Sequence, residues 1–179
     1  TVDNPVGGAG LLAQGAVAGV VLDGCVFSGN RSNVQLTPTA ANCSASSGGS
    51  IQSAGGNRSS DATCTTFTGT DDAVSDAGLA LVALADNGGA TRTRALGTGS
   101  TAIDATACLV GVPGDQRNFG RPAGTRCDGG AYEANATALP TTTTTTTTTS
   151  KTTTTTMLAD PASGLTATRF SSARVCGFS

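Results

Sequence analysis

Apolar residues along this chain come in short runs broken by Gly, Asn and Ser, with no long amphipathic stretch. "AVAGVVLDGCVFSGN", Ala16 to Asn30, alternates over its second half, so that Val20, Leu22, Cys25 and Phe27 face one way, with a shift at the Asp23-Gly24 turn. Further patches follow at Val34–Leu36, Ile51 and Cys64–Phe67. They recur about every 15 to 25 residues, the interval expected for coils of a solenoid. "SDAGLALVALADNGG" carries Leu79, Leu81, Val82 and Leu84 and could pass for a short helix over Asp76–Ala85, but it stops at Asn87-Gly88-Gly89. It reads as irregular structure laid across the last coil. The pattern predicts an all-β fold: a parallel β-helix whose coils each give two or three short strands to long sheets. Like residues then stack from coil to coil in layers one residue thick.

Composition supports thin layers. Glycine is abundant at 25 residues, while only five Phe, one Tyr and no Trp are present, so the core must draw on Val, Leu, Ile and Ala. There is no His, which removes the commonest general base, the Ser-His-Asp triad and every His-based metal site. A net charge of −2 and few stacking aromatics argue against nucleic acid as a partner. No apolar run is long enough to span a bilayer. The chain opens at Thr1 without Met and in mid-pattern, as expected of a processed product or the C-terminal piece of a longer protein. The six cysteines have wide spacings and no CxxC, which counts against zinc; with the Thr tract they favour an oxidising, extracellular setting.

The sharpest boundary is at Pro140. "TTTTTTTTTSKTTTTT", Thr141 to Thr156, has no apolar periodicity and reads as an extended spacer. Residues 157–179 are too short to fold alone and are expected to be a disordered tail. The expected organisation is therefore coils over 1–84, a cap segment of the same domain over 85–139, a linker over 140–156 and the tail over 157–179.

The segment Ala85 to Glu133 holds most of the candidate chemistry. Its ordered pieces are Asp86-Asn87-Gly88-Gly89, Thr91, Thr93, Leu96, Gly99-Ser100-Thr101-Ala102-Ile103-Asp104, Cys108, Asp115-Gln116-Arg117, Arg121-Pro122 and Cys127-Asp128-Gly129-Gly130-Ala131-Tyr132-Glu133. In that order they resemble the C-terminal signature of the bacterial choice-of-anchor Q domain proteins, and the resemblance extends from Gly7 to Glu133. It departs from the family pattern at Thr101, Asn118, Gly129 and Arg94, where Pro, Gly, Ile and His are usual. The resemblance implies a secreted or surface-tethered right-handed parallel β-helix related in fold to the pectate lyases.

Within that frame the segment is expected to be a closing cap over the exposed end of the rod, not a catalytic loop. Leu96, Ile103, Val110, Val112, Phe119 and Tyr132 would fold over the end. Asp115, Arg117 and Arg121 would pair with one another or with Asp128. A Cys108–Cys127 disulfide would stabilise the cap by about 3 kcal/mol through loop entropy, and a Cys43–Cys64 disulfide would tie one coil to the next. Cys25, in an apolar strand, reads as a buried thiol; Cys176 is left to pair with Cys25, with another chain or with nothing. Asp71, Asp72 and Asp76 form a weak Ca²⁺ candidate that lacks the spacing and terminal Glu of an EF-hand, so a solvated acidic turn is favoured and no cofactor is expected. Sequons at Asn30, Asn42, Asn57 and Asn135 mark exposed loops, and in a bacterial chain they are expected to go unused.

Two functions compete. The first is a non-catalytic, monomeric surface or secreted module that presents a sheet face to a polysaccharide or host ligand. The second is a fragment of a pectate-lyase-like polysaccharide-degrading enzyme with its active coils N-terminal of this chain. Before Arg92 the only basic residues are Arg31 and Arg58, and Glu occurs only as Glu133. Neither the basic residue of a lyase nor a glycosidase carboxylate pair is placed for catalysis, which favours the first.

Overall fold

The structure is a computed structural model, and it describes residues 10–15, 19–32 and 39–140. The patch at Val34–Leu36, the Thr-rich linker, the tail and Cys176 lie outside the described residues. The described residues form an all-β fold with no helix, and so hold no helix long and apolar enough to cross a membrane.

The first pass of the chain contains β1 (Leu11–Gln14), β2 (Gly19–Asp23) and β3 (Val26–Phe27), and it ends in a short antiparallel pair between β4 (Arg31–Ser32) and β5 (Thr39–Ala40). The second contains β6 (Cys43–Ser46), β7 (Ser50–Gly55) and β8 (Arg58–Ser59). Each strand of the first pass pairs in parallel with its counterpart in the second: Leu11 faces Cys43, Gly19 faces Ser50 and Val26 faces Arg58. A third pass is reduced to an Arg58–Ala73 bridge, with Gly56 N donating to Thr70 O and Ser59 N to Ala73 O. The stacking interval between the first two passes is thus longer than the spacing of the apolar patches. The patches at Val20–Phe27 and Ile51 belong to successive passes, Val20 facing Ile51.

Between the passes sits a thin core of Ala13, Leu22, Cys25, Cys43, Ile51, Cys64 and Phe67, with Leu11, Val20 and Phe27 packed against it. The Phe27 and Phe67 rings meet at a tilt with centroids 6.0 Å apart. Cys43 is bonded to Cys64, which ties the second pass to the segment that follows it. Cys25 is buried and disulfide-bonded, a correction to its reading as a thiol.

The corners are held by buried asparagines. Asn57 is fully buried; its Oδ1 accepts from Cys25 N at 2.9 Å, and its Nδ2 donates to Leu22 O and to Ser53 Oγ. Asn42, equally buried, donates from Nδ2 to Phe27 O, Ser59 Oγ and Ser60 Oγ. Each carboxamide links one pass to the next where the ladder is interrupted at the bend. The expectation that these sequons mark exposed loops therefore fails at Asn42 and Asn57.

After Ala73 the chain forms an antiparallel hairpin of β9 (Leu81–Ala85) and β10 (Thr93–Leu96). The expectation of irregular structure holds over residues 76–80 and is corrected at Leu81–Ala85, which pairs as a strand with β10. A register shift between Arg94 and Leu96 marks the hairpin. The Arg94 side chain fills it, Nε donating to Val82 O at 2.8 Å and Nη2 to Leu81 O at 3.0 Å.

Gly56 shows how closely the later segment approaches the strands. Its φ is +66°, and a Cβ there would run into the Thr106 side chain. Gly56→Ala is expected to destabilise the fold by about 2 to 4 kcal/mol, from left-handed backbone and overpacking together. The measurement is a fall in the urea midpoint at unchanged m-value; an unshifted midpoint would remove the close approach.

Candidate functional site

The residues from Ala102 to Leu139 contain no regular strand and are ordered by side chains. Antiparallel bridges at Thr106–Cys127, Gly114–Gly120 and Phe119–Ala138, with the Cys108–Cys127 disulfide, set the path of the chain. Charged groups then fix the turns.

Asp115 is the first hub. Its side chain is fully buried, and Oδ1 accepts from the amides of Arg117 (2.8 Å) and Phe119 (3.1 Å). Oδ2 accepts from Arg117 Nε at 2.9 Å, Arg117 Nη2 at 2.7 Å and Glu133 N at 2.9 Å. The Arg117 guanidinium lies between two rings, 4.2 Å from the Phe119 centroid and 3.7 Å from that of Tyr132. It also donates to Asn87 O and Glu133 O. Asn87 in turn donates to Thr93 O, and Gln116 Nε2 to Thr91 Oγ1. The tip of the β9–β10 hairpin is thereby joined to the hub.

Glu133 is the second hub, with no exposed surface. Oε1 accepts from Ala123 N at 2.9 Å and Oε2 from Asp128 N at 3.0 Å, with Arg121 Nη1 at 3.4 Å from Oε2. Arg121 also donates to the carbonyls of Asp128 (2.8 Å) and Gly130 (2.6 Å). Asp128 accepts from Asp104 N and Ala134 N, and Asp104 accepts from Arg126 N. Asp86 closes the Gly88 turn, and Gly88 and Gly89, at φ 87° and 86°, lie against Phe119 and Arg117. Of the expected pairings, Asp115–Arg117 forms. Arg121 instead pairs with Glu133.

The segment does not simply cover the end of the strands. Gly130 N donates to Gly24 O at 2.7 Å in the first pass, Thr106 lies against Gly24 and Gly56, and Arg126 is ion-paired with Asp71 beyond the second pass. It runs along one corner of the stacked passes as a lateral brace, which corrects the expectation of an end lid. Gly129 fits this course, because a side chain there would press on Val26 at 3.3 Å. Asn118 adopts the left-handed conformation, at φ 63°, that its place in the turn demands. Val110 and Val112, expected to fold inward, are exposed, and Ala102 and Ala105 are buried in this segment instead.

The three acidic residues considered for Ca²⁺ do not converge. Asp71 pairs with Arg126; Asp72 accepts from Asn57 N, Ser53 Oγ and Gly69 N; Asp76 accepts from Arg58, Thr101 Oγ1 and Gly78 N. Among the described residues no group of three or more His, Cys, Asp or Glu is placed to hold a metal ion. Sequence reasoning missed the bracing roles of Arg126, Arg58 and Thr106. The signal for Arg58 and Asp76, opposite charges in neighbouring turns, was present but not decisive.

A cavity of about 300 Å³ lies beneath the loop after Cys108, walled by Leu109, Val112, Thr106 and Ala131, with Gln116 and Arg121 at its polar side. The polar atoms of Arg121 that approach it already serve backbone carbonyls. No family model, curated protein or solved structure matches the chain.

The hubs respond to pH in opposite directions. Burial alone would raise the Asp115 carboxyl, but hydrogen bonds from Arg117 and from the amides of Glu133, Phe119 and Arg117 outweigh it and hold the pKa below the ordinary value. Asp76 is lowered in the same way: burial opposes the shift, and Arg58, Thr101 and Gly78 drive it. Glu133 is raised, because burial outweighs the two amides and Arg121 and Asp128 adds repulsion. A lowered carboxyl gives stability that is present above its unfolded pKa and lost as pH falls through the folded one. A raised carboxyl gives stability that is complete below its unfolded pKa and lost as pH rises through the folded one. The thermal midpoint is therefore expected to peak in mild acid, above about pH 4, and to fall on both sides. Melting curves across pH check this: Asp115→Asn should flatten the acid limb and Glu133→Gln the neutral limb. A midpoint that rises steadily to pH 8 would contradict it.

Proposed function

We propose that this chain is a non-catalytic, secreted or cell-surface module of the choice-of-anchor Q type. In this reading the parallel pairs are coils of a right-handed β-helix, and a sheet face binds a polysaccharide or host ligand as a monomer. The shared order of pairing supports the coil reading, since β1, β2 and β3 each meet their counterpart one pass later. The disulfides are compatible with an oxidising, extracellular compartment.

One observation carries the choice of binding over catalysis. The acids and bases of the signature (Asp115, Arg117, Arg121, Asp128 and Glu133) are engaged with one another and with backbone amides and carbonyls, including Asp115, Arg121 and Asp128 where they border the cavity beneath the loop after Cys108. A general acid or base must reach a substrate proton, and these groups are committed to holding turns. The test is direct: purified protein is incubated with pectin, alginate and xylan, with and without Ca²⁺, and applied to a glycan array. Retention on one glycan class without release of unsaturated uronides or reducing ends is the expected result. Turnover that is lost in Asp71→Asn or Asp72→Asn would establish the enzyme instead.

A further inference from the structure

The side chains of the sequon residues Asn30, Asn42, Asn57 and Asn135 take no part in the charged hubs, and the structure separates them by the state of one atom. N-linked transfer uses the carboxamide Nδ2 of the acceptor. In Asn57 that nitrogen donates to Leu22 O and Ser53 Oγ, and in Asn42 to Phe27 O, Ser59 Oγ and Ser60 Oγ, both inside a side chain with no exposed surface. In Asn30 it donates to Asn42 Oδ1 at 3.0 Å. A sugar takes one of the two Nδ2 hydrogens, so on Asn42 and Asn57 it would remove a bond that ties one pass to the next, and on Asn30 it would have to stand beside the contact with Asn42. On Asn42 and Asn57 it would also have to fit inside the core.

Asn135 differs in each respect. It is exposed at the tip of a turn with φ 59°, followed by Ala136 and the exposed Thr137. Its carboxamide makes no hydrogen bond among the described residues, while the backbone on either side is fixed by Ala134 N donating to Asp128 Oδ2 and Gly120 N donating to Thr137 O. A shallow cavity of about 400 Å³ adjoins it, walled by Pro122, Ala123, Ala136 and Thr137, with room for a first sugar ring beside the turn.

Against the expectation that all four sequons go unused, we propose that Asn135 is an N-glycan acceptor of this protein and that Asn30, Asn42 and Asn57 are not. The co-reactant is a polyprenyl diphosphate-linked oligosaccharide. Nδ2 of Asn135 forms a bond to the anomeric carbon, the bond from that carbon to the diphosphate oxygen breaks, and the polyprenyl diphosphate leaves with the electron pair. The amide proton passes to the base of the transferase.

The experiment sends the full chain through the secretory route of a host that carries an N-oligosaccharyltransferase and examines the secreted, folded fraction. Peptide-N-glycosidase digestion is expected to remove a single glycan and to convert Asn135, alone of the four, to Asp. Asn135→Asp and Thr137→Ala should each abolish the mass shift and leave the thermal midpoint within about 2 °C, as exposed substitutions do. Secreted protein that is unmodified at Asn135, or that carries sugar on Asn30, Asn42 or Asn57, would overturn the assignment.

Discussion

Glu133→Ala is expected to release the brace from Ala102 to Leu139 while the parallel strand pairs persist, at a cost of about 3 to 5 kcal/mol. Glu133 has no exposed surface, and its two oxygens satisfy the amides of Ala123 and Asp128 from opposite sides of a loop that Arg121 also crosses to the Asp128 carbonyl. Truncation leaves both donors buried without an acceptor and removes the carboxylate from the Arg121 guanidinium. Glu133→Gln should fall between the two, since its carboxamide keeps one acceptor but turns an NH₂ toward the second amide. Hydrogen exchange is the decisive measurement. The amides of Ala123 and Asp128 should lose protection in Glu133→Ala, while those of Arg58 and Ser60, which donate into the first pass, should keep theirs. Equal loss at both sets would mean that brace and strands unfold as one unit.

The sequence made some of this arrangement legible and concealed the rest for identifiable reasons. The alternation of Val20, Leu22, Cys25 and Phe27 marked a face, and all four contribute to the core. That face is written in consecutive residues, where the period of a strand is visible. The stacking interval was not legible, because nothing in the apolar pattern marks Val20 and Ile51, which face each other in successive passes, as partners. The carboxylates and guanidiniums of the signature were marked by type and order, but their partners were not. Arg121 reaches Glu133 instead of the nearer Asp115, a choice made by the path of the turns. Asn42 and Asn57 were read as surface positions because each opens a sequon, a pattern that marks exposed loops. Their burial follows from the ladder having gaps at its corners, and a single sequence does not display which corners stack. Val110 and Val112 were assigned inward from their chemistry alone, and the small Ala102 and Ala105 occupy the space. The lateral course of the brace was least visible of all. It depends on Gly24, Gly56 and Asp71 falling at one corner, three positions far apart in the chain.

Arg117 offers the second large effect, and its substitutions separate charge from shape. The guanidinium meets Asp115 through Nε and Nη2 in a fork, stacks between Phe119 and Tyr132 and donates to two carbonyls. Arg117→Lys keeps the charge but loses the fork and both planar stacks, so a loss of about 2 to 3 kcal/mol is expected. Arg117→Met fills much of the space yet leaves the Asp115 carboxylate buried without its cation, and about 3 to 5 kcal/mol is expected. Asp115→Asn added to Arg117→Met removes that stranded charge. The double variant should therefore be more stable than the sum of the single losses by about 1 to 3 kcal/mol. Urea denaturation of the four proteins closes the cycle. If Lys and Met cost the same and the double variant is additive, Arg117 acts only through its packing between the rings, and the ion pair contributes nothing to holding the brace in place.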